Sequence, residues 1–399
     1  MGDRTKTAIA AILAPVRQVG PDDWAGHIYD EAIKSLAALG KSAVAPLCEM
    51  LKEDSDRRDR VCAARALGEI GDAGGLLSLC HALEEDSDFG VRRDAAESLG
   101  KLNDTRGVDP LIGALDDEDP HVRRLAAKSL YRLGDPKSAK ALVLRMENTQ
   151  EHDFVRAAAA DALAGIGSRE VLPSLLNALK EKSAEIRVAA TVAIGRIAGR
   201  ENIRDVSCRL TDLLLKDSDR NIRDAAALSL SYLRDEQTAD ALVTAVLKEK
   251  SQSVASHMAV CRNAADSLAK MGACSVSGII NGLRQKPQSF REGLLIEALE
   301  KITPPPVPEL TRIVLGDSDS HIRFVAAKVL GNARANPVAA DALIQALSDS
   351  DALVRWRSAI SLGEIRDSRA VVPLKLHRTT EVNIEVQQEI DRALEALGE

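Results

Sequence analysis

Between residues 104 and 133, apolar side chains fall at Val108, Leu111, Ile112 and Leu115. That is the i, i+3, i+4, i+7 spacing of one helical face. The acidic run DDEDP interrupts the pattern, which resumes with Val122, Ala126, Leu130 and Leu133. Asp119 stands where an N-cap would accept from unbonded backbone N–H groups, and Pro120 fits the first helical position, which needs no N–H. The stretch predicts two helices joined by a tight turn. Gly71 and Gly134 follow second stripes and predict left-handed helix caps.

This two-helix pattern recurs along the chain, as in DSDFGVRRDAAESLGKL (86–102), DEDPHVRRLAAKSLYRL (117–133), DSDRNIRDAAALSLSYL (217–233), DSDSHIRFVAAKVLGNA (317–333) and DSDALVRWRSAISLGEI (349–365). One arginine marks the register: Arg60, Arg92, Arg123, Arg156, Arg187, Arg223, Arg323 and Arg355. Tyr29, Cys261, Glu292 and Gln387 hold the same register in divergent repeats. Pro46, Pro110, Pro173 and Pro373 lie 13 or 14 residues before it, which predicts the first turn of the first helix.

A single helix pair cannot cover its own apolar faces, so such pairs must stack side by side. Alanine pairs such as Ala95–Ala96, Ala126–Ala127 and Ala326–Ala327 allow close approach. The expected fold is all-α, an α-solenoid winding as a right-handed superhelix. Its divisions are degenerate capping helices over 1–40, an array over 41–303 with irregular units near 234–303, and further repeats over 304–399 in the same solenoid. The run ITPPPVP (302–308) cannot lie inside a helix and reads as a stiff connection. The recurring D-x-x-V-R-x-x-A-A-x-x-L-G pattern, over about 25–397, resembles the short HEAT-like repeats named after the phycobilisome lyases. That resemblance implies a helical-repeat fold, and among possible roles an accessory subunit of a bilin lyase.

Composition fits this reading. Apolar residues are 45% of the 399-residue chain and aromatics only 2%, which suits close helix packing and suits β-sandwiches badly. The formal net charge of −7, from 53 basic and 60 acidic residues, argues against a general nucleic-acid binder. No apolar run is long enough to span a membrane and the N-terminus carries no obvious leader, so a cytoplasmic location is expected. Cys48, Cys62, Cys80, Cys208, Cys261 and Cys274 have neither C-x-x-C nor zinc-like spacing.

No catalytic constellation emerges. The seven histidines are isolated, and the His-Glu pairs with which deoxyhypusine hydroxylases bind iron are absent. His121 and His321 read as solvated turn residues. No phosphate-loop or nucleophile-elbow motif occurs, and GDAGG (71–75) reads as a turn. No metal and no cofactor is expected. The register arginines, with an aspartate four residues earlier in most repeats, suggest a structural ladder between turns, or else an anion-binding comb.

The surface remains. On a helical wheel, positions +1, +2, +5, +8 and +9 after the register residue point away from the apolar stripe. They offer a basic patch (Arg93, Lys101, Arg124, Lys128, Tyr131, Arg132), a small apolar strip (Ala157, Ala158, Val188, Ala189, Val192, Leu228, Tyr232), and Phe324 and Trp356 at matching +1 positions beside Arg357. The favoured expectation is a non-catalytic scaffold or adaptor holding an acidic or apolar helical element of another protein through Arg93, Arg124, Lys128, Arg132, Val188, Val192, Phe324, Trp356 and Arg357. The alternative is an accessory subunit of a chromophore (bilin) lyase or other cofactor-modifying enzyme. Phe324 and Trp356 would be exposed anchors or would pack under their neighbours.

Overall fold

A computed structural model describes residues 2–19, 26–52, 56–200, 206–234, 236–248, 254–287 and 289–399. These residues form helices joined by short turns, in two compact units, Met1–Glu201 and Asn202–Glu399.

The first unit begins with α1 (Gly2–Arg17) and α2 (Gly26–Ala38). The hairpins α3 (Lys41–Lys52) and α4 (Arg57–Ile70), α5 (Leu76–Glu85) and α6 (Phe89–Leu102), and α7 (Val108–Gly113) and α8 (Pro120–Leu133) follow. The unit closes with α9 (Ala139–Glu147) and α10 (Asp153–Ile166), then α11 (Leu172–Ala178) and α12 (Ala184–Arg200). The second helices α4, α6, α8, α10 and α12 pack along one another more extensively than the first helices do.

The second unit pairs α13 (Ser207–Lys216) with α14 (Arg220–Ser231), α15 (Glu236–Lys248) with α16 (Val254–Met271), and α17 (Val276–Arg284) with α18 (Ser289–Lys301). After the proline run come α19 (Val307–Gly316) with α20 (Ser320–Leu330), α21 (Pro337–Ala346) with α22 (Ala352–Ile365), and α23 (Val371–Thr380) with α24 (Ile384–Ala396). The proline run carries a cis Thr303–Pro304 bond, and the second helices on either side of it, α18 and α20, touch only slightly.

Local chemistry sets the boundaries. Asp119 Oδ1 accepts from the backbone N–H of His121 and Val122, and Pro120 is the first residue of α8. Gly71, Gly134 and Gly167 take the left-handed conformation, with φ of 70°, 62° and 75°, and each donates its N–H to the carbonyl four residues back. Pro110, Pro173 and Pro373 sit in the first turns of α7, α11 and α23. Pro46 departs from the spacing rule. Helix α3 starts at Lys41, straight after left-handed Gly40 and without the 3-10 lead-in of later repeats, so Pro46 falls in its second turn.

The core is a row of leucines and alanines. Leu99, Leu130, Leu330 and Leu362, at one repeat position, are fully buried, each contributing roughly 1.5–3 kcal/mol by removal from water. The alanine pairs at 95–96, 126–127 and 326–327 are fully buried too, where the second helices meet.

Candidate partner-binding face

Two sets of bonds stitch successive repeats together and decide which side chains remain outside. The first is the arginine ladder. Arg92 Nε and Nη2 donate to Asp117 of the next turn at 2.8 and 3.1 Å, and its Nη1 donates to the Asp86 carbonyl of its own turn at 2.8 Å. Arg123 repeats this with Glu151, at 2.7 Å for both bonds, and with the Asp117 carbonyl at 2.6 Å. Arg323 pairs with Asp349 and Arg355 with Glu381 in the same way. The arginines are therefore spent on structure, and the ladder reading holds against the anion comb. The aspartates four residues before them play a different part, capping the second helices. The ladder's acceptors stand six residues before the next register position, at Asp86, Asp117, Asp349 and Glu381.

The second set is a seam of small residues. Ser98, Ser129 and Ser361, at position +6, each donate a hydroxyl at 2.8 Å to a carbonyl of the preceding second helix: Ala64, Ala96 and Ala327. Gly68, Gly100 and Gly331 lie opposite these serines. A β-carbon on Gly100 would stand 2.7 Å from Ser129 Cβ and 2.9 Å from its Cα.

The seam corrects the helical wheel. Position +2 is buried at Cys62, Asp94, Ala158, Ala189, Ala225 and Val325, and position +8 is buried where it is glycine, as at Gly68 and Gly100. Ala157 is buried as well. A second helix such as α6, α8, α10 or α22 has a second helix on each side, so it keeps only a narrow outward strip, mainly +1, +5 and +9.

In the first unit, that strip holds the basic residues amid carboxylates. Arg93 Nε donates to buried Asp94 at 2.8 Å, and Lys101 Nζ lies 2.9 Å from Glu69 and 3.1 Å from Glu97. Burial raises the Asp94 carboxyl above its usual range despite Arg93. Desolvation would lower Lys101, and its two glutamates outweigh that and raise it. Arg124 lies over the Phe154 ring, 5.9 Å from its centroid. Lys128 and Arg132 are exposed. Arg196 Nη1 donates to Tyr131 Oη at 2.5 Å although a whole repeat separates them; Ala164 and Gly165 occupy the intervening positions. Asp161 is raised by desolvation, which outweighs Arg196 and Lys128. Val188 and Val192 are half-buried on α12.

In the second unit, Phe324 and Trp356 are half-buried and lie parallel, 6.5 Å between centroids and 4° between planes. His321 continues the row 6.4 Å from Phe324, with its Nε2 2.7 Å from Glu292. His121 and His321 are exposed as expected, but engaged: His121 stacks on Phe154 at 5.5 Å. Arg357 runs forward along its helix to Glu364, two turns on, at 2.6 Å, so it does not project beside Trp356. Sequence reasoning passed over Ile360, half-buried one turn beyond Trp356 on the same helix.

Among the described residues, no group of His, Cys, Asp and Glu side chains could hold a metal ion, and no helix is long and apolar enough to cross a membrane. Burial pushes the Cys62 thiol up to about 12 and Cys80 to about 11, so neither is a thiolate nucleophile near neutral pH.

A family model of HEAT repeats matches residues 22–100, 76–154, 145–207 and 307–395. The chain belongs to the HEAT repeat family. Among relatives of these repeats, 113 residues are 32% identical to the bilin biosynthesis protein MpeU of Synechococcus sp. (strain WH8020), covering 27% of this chain and 37% of that protein. The match thus spans well under two thirds of the relative. Importin beta shares the HEAT repeat fold, with a TM-score of 0.59 at 13% identity over 100% of this chain and 63% of that one. The CpcE–CpcF complex of phycocyanin lyase from Nostoc sp. PCC7120 aligns with a TM-score of 0.40 at 24% identity, over 62% of this chain and 93% of that one.

Proposed function

We propose that this chain is a protein-holding subunit that presents a partner along its second-helix strip, in the manner of an accessory subunit of a bilin lyase or a related cofactor-modifying enzyme. The observation that carries the reading is the 32% identity over 113 residues to a bilin biosynthesis protein, which favours this role over a general scaffold. The geometry supports the holding part. Ladder and seam engage the register arginines and the seam serines between repeats, while the outward strip keeps apolar, aromatic and charged side chains in contact with water. Tryptophan and arginine on such a strip are the residues that most often carry interface energy. In this reading the chain supplies no catalytic group of its own, and its partner presents an acidic or apolar helical element.

The test is co-expression with a bilin and a bilin-carrying apoprotein, with and without this chain. Visible absorbance that stays with the apoprotein on a denaturing gel only when the chain is present is the expected result. Chromophore attachment that does not depend on the chain removes the lyase role. A stable partner co-purifying without bound pigment would then leave the general scaffold.

A further inference from the structure

We propose that the pocket between α22 and α24 is a carboxylate anchor, taking an Asp or Glu side chain of an amphipathic segment of a partner protein whose apolar residues lie along Phe324, Trp356 and Ile360. The inference rests on the protein-holding reading and gives it a place and a chemistry.

The pocket has a volume of about 510 Å³, within the span typical of ligand sites. Ile360, Ala393 and Ala396 supply its apolar lining, and Arg334, Arg366 and Arg392 its cationic groups. Two carboxylates also line it, and both are occupied. Glu364 accepts from Arg357 at 2.6 Å and Glu389 from Arg392 at 2.8 Å. Arg334 and Arg366 are exposed and left to complement an incoming anion. Guanidinium groups lining a pocket suit a carboxylate through charge-assisted, fork-like bonds.

Arg366 stands in an unusual backbone. It takes the left-handed conformation, φ 59°, at the helix end where α4, α8 and α10 use Gly71, Gly134 and Gly167. Glycine is the unstrained choice there. Pocket and aromatic row are continuous, because Ile360 lines the pocket and sits one turn from Trp356. A partner segment lying across α20, α22 and α24 would meet apolar side chains first and guanidinium groups at its end.

The test uses the full chain as bait for a displayed library of random short peptides. Enriched peptides are then measured by fluorescence anisotropy against the wild type, Arg334→Ala/Arg366→Gly and Trp356→Ala. The arginine double variant should fold at least as well as the wild type, since glycine relieves the left-handed position, and urea unfolding checks this. The expected peptides carry Asp or Glu beside apolar residues and lose about tenfold or more in affinity on the arginine variant. Changing the peptide's acidic residue to its amide should cause the same loss on the wild type and little further loss on the variant. Enriched peptides without an acidic residue, or with unchanged affinity for the variant, overturn the anchor and leave the protein-holding reading standing. A library that yields no binder also overturns the anchor, whereas the protein-holding reading is decided separately by co-expression and co-purification.

Discussion

Replacing Glu381 by Gln isolates one rung of the arginine ladder. Glu381 takes two bonds from Arg355, at 2.7 and 2.9 Å, and two from the backbone N–H groups of Val382 and Asn383. Its side chain is 6% exposed, and the Arg355 bonds, outweighing desolvation, hold its carboxyl at about 2 rather than 4.5. Converted at about 1.36 kcal/mol per unit, that difference is about 3 kcal/mol. The rung lies at the surface end of the repeats, and screening there reduces the expected contribution to roughly 1–2 kcal/mol. Because the folded-state value is depressed, the stabilisation is present above pH 4.5 and is lost as pH falls toward 2. Urea unfolding of wild type and Glu381→Gln, followed by tryptophan fluorescence with Trp356 directly after the rung arginine, should show a clear gap at neutral pH. The gap should close progressively below pH 4.5. A variant as stable as the wild type at neutral pH, or a gap that persists undiminished toward pH 2, would refute the ladder's electrostatic role.

Three further outcomes follow from the packing. Gly100→Ala should cost about 1–3 kcal/mol by forcing two second helices apart, while Gly113→Ala, with nothing within 4 Å of the new methyl, should cost little; urea midpoints compare them. Trp356→Ala should cost about 1–2 kcal/mol of stability, less than a fully buried tryptophan, yet weaken partner binding about thirtyfold or more by titration calorimetry. Reversing Arg124 and Lys128 to Glu should slow partner association and flatten its salt dependence in stopped-flow measurements, with the melting temperature little changed.

The register arginine was legible in the sequence because one long side chain recurs at one helical position. Cap aspartates and left-handed glycines were legible because their effect is local to a turn. The ladder's acceptors were also within reach, since Asp86, Asp117, Asp349 and Glu381 recur six residues before the register, but the capping residue two positions later (Asp88, Asp119, Asp351 and Asn383) masks them. The serine–glycine seam was not legible. A wheel drawn for one helix assumes one buried side, whereas α6 or α22 is covered by its own first helix and by a second helix on each flank. That is why Ala158 and Ala189 are buried at positions that a single wheel leaves outside. Ile360 and Arg366 were missed because their significance lies in the pocket made with α24, a contact between repeats. The division near residue 201 has no compositional mark, unlike the proline run, which lies inside the second unit.

Hydrogen–deuterium exchange of the full chain, alone and in complex with a co-purified partner, tests the partner-holding account most directly. Protection confined to second helices, strongest in α20 and α22 around Phe324, Trp356 and Ile360, is the predicted result. Protection on the first helices, with the second-helix strips unchanged, would contradict it.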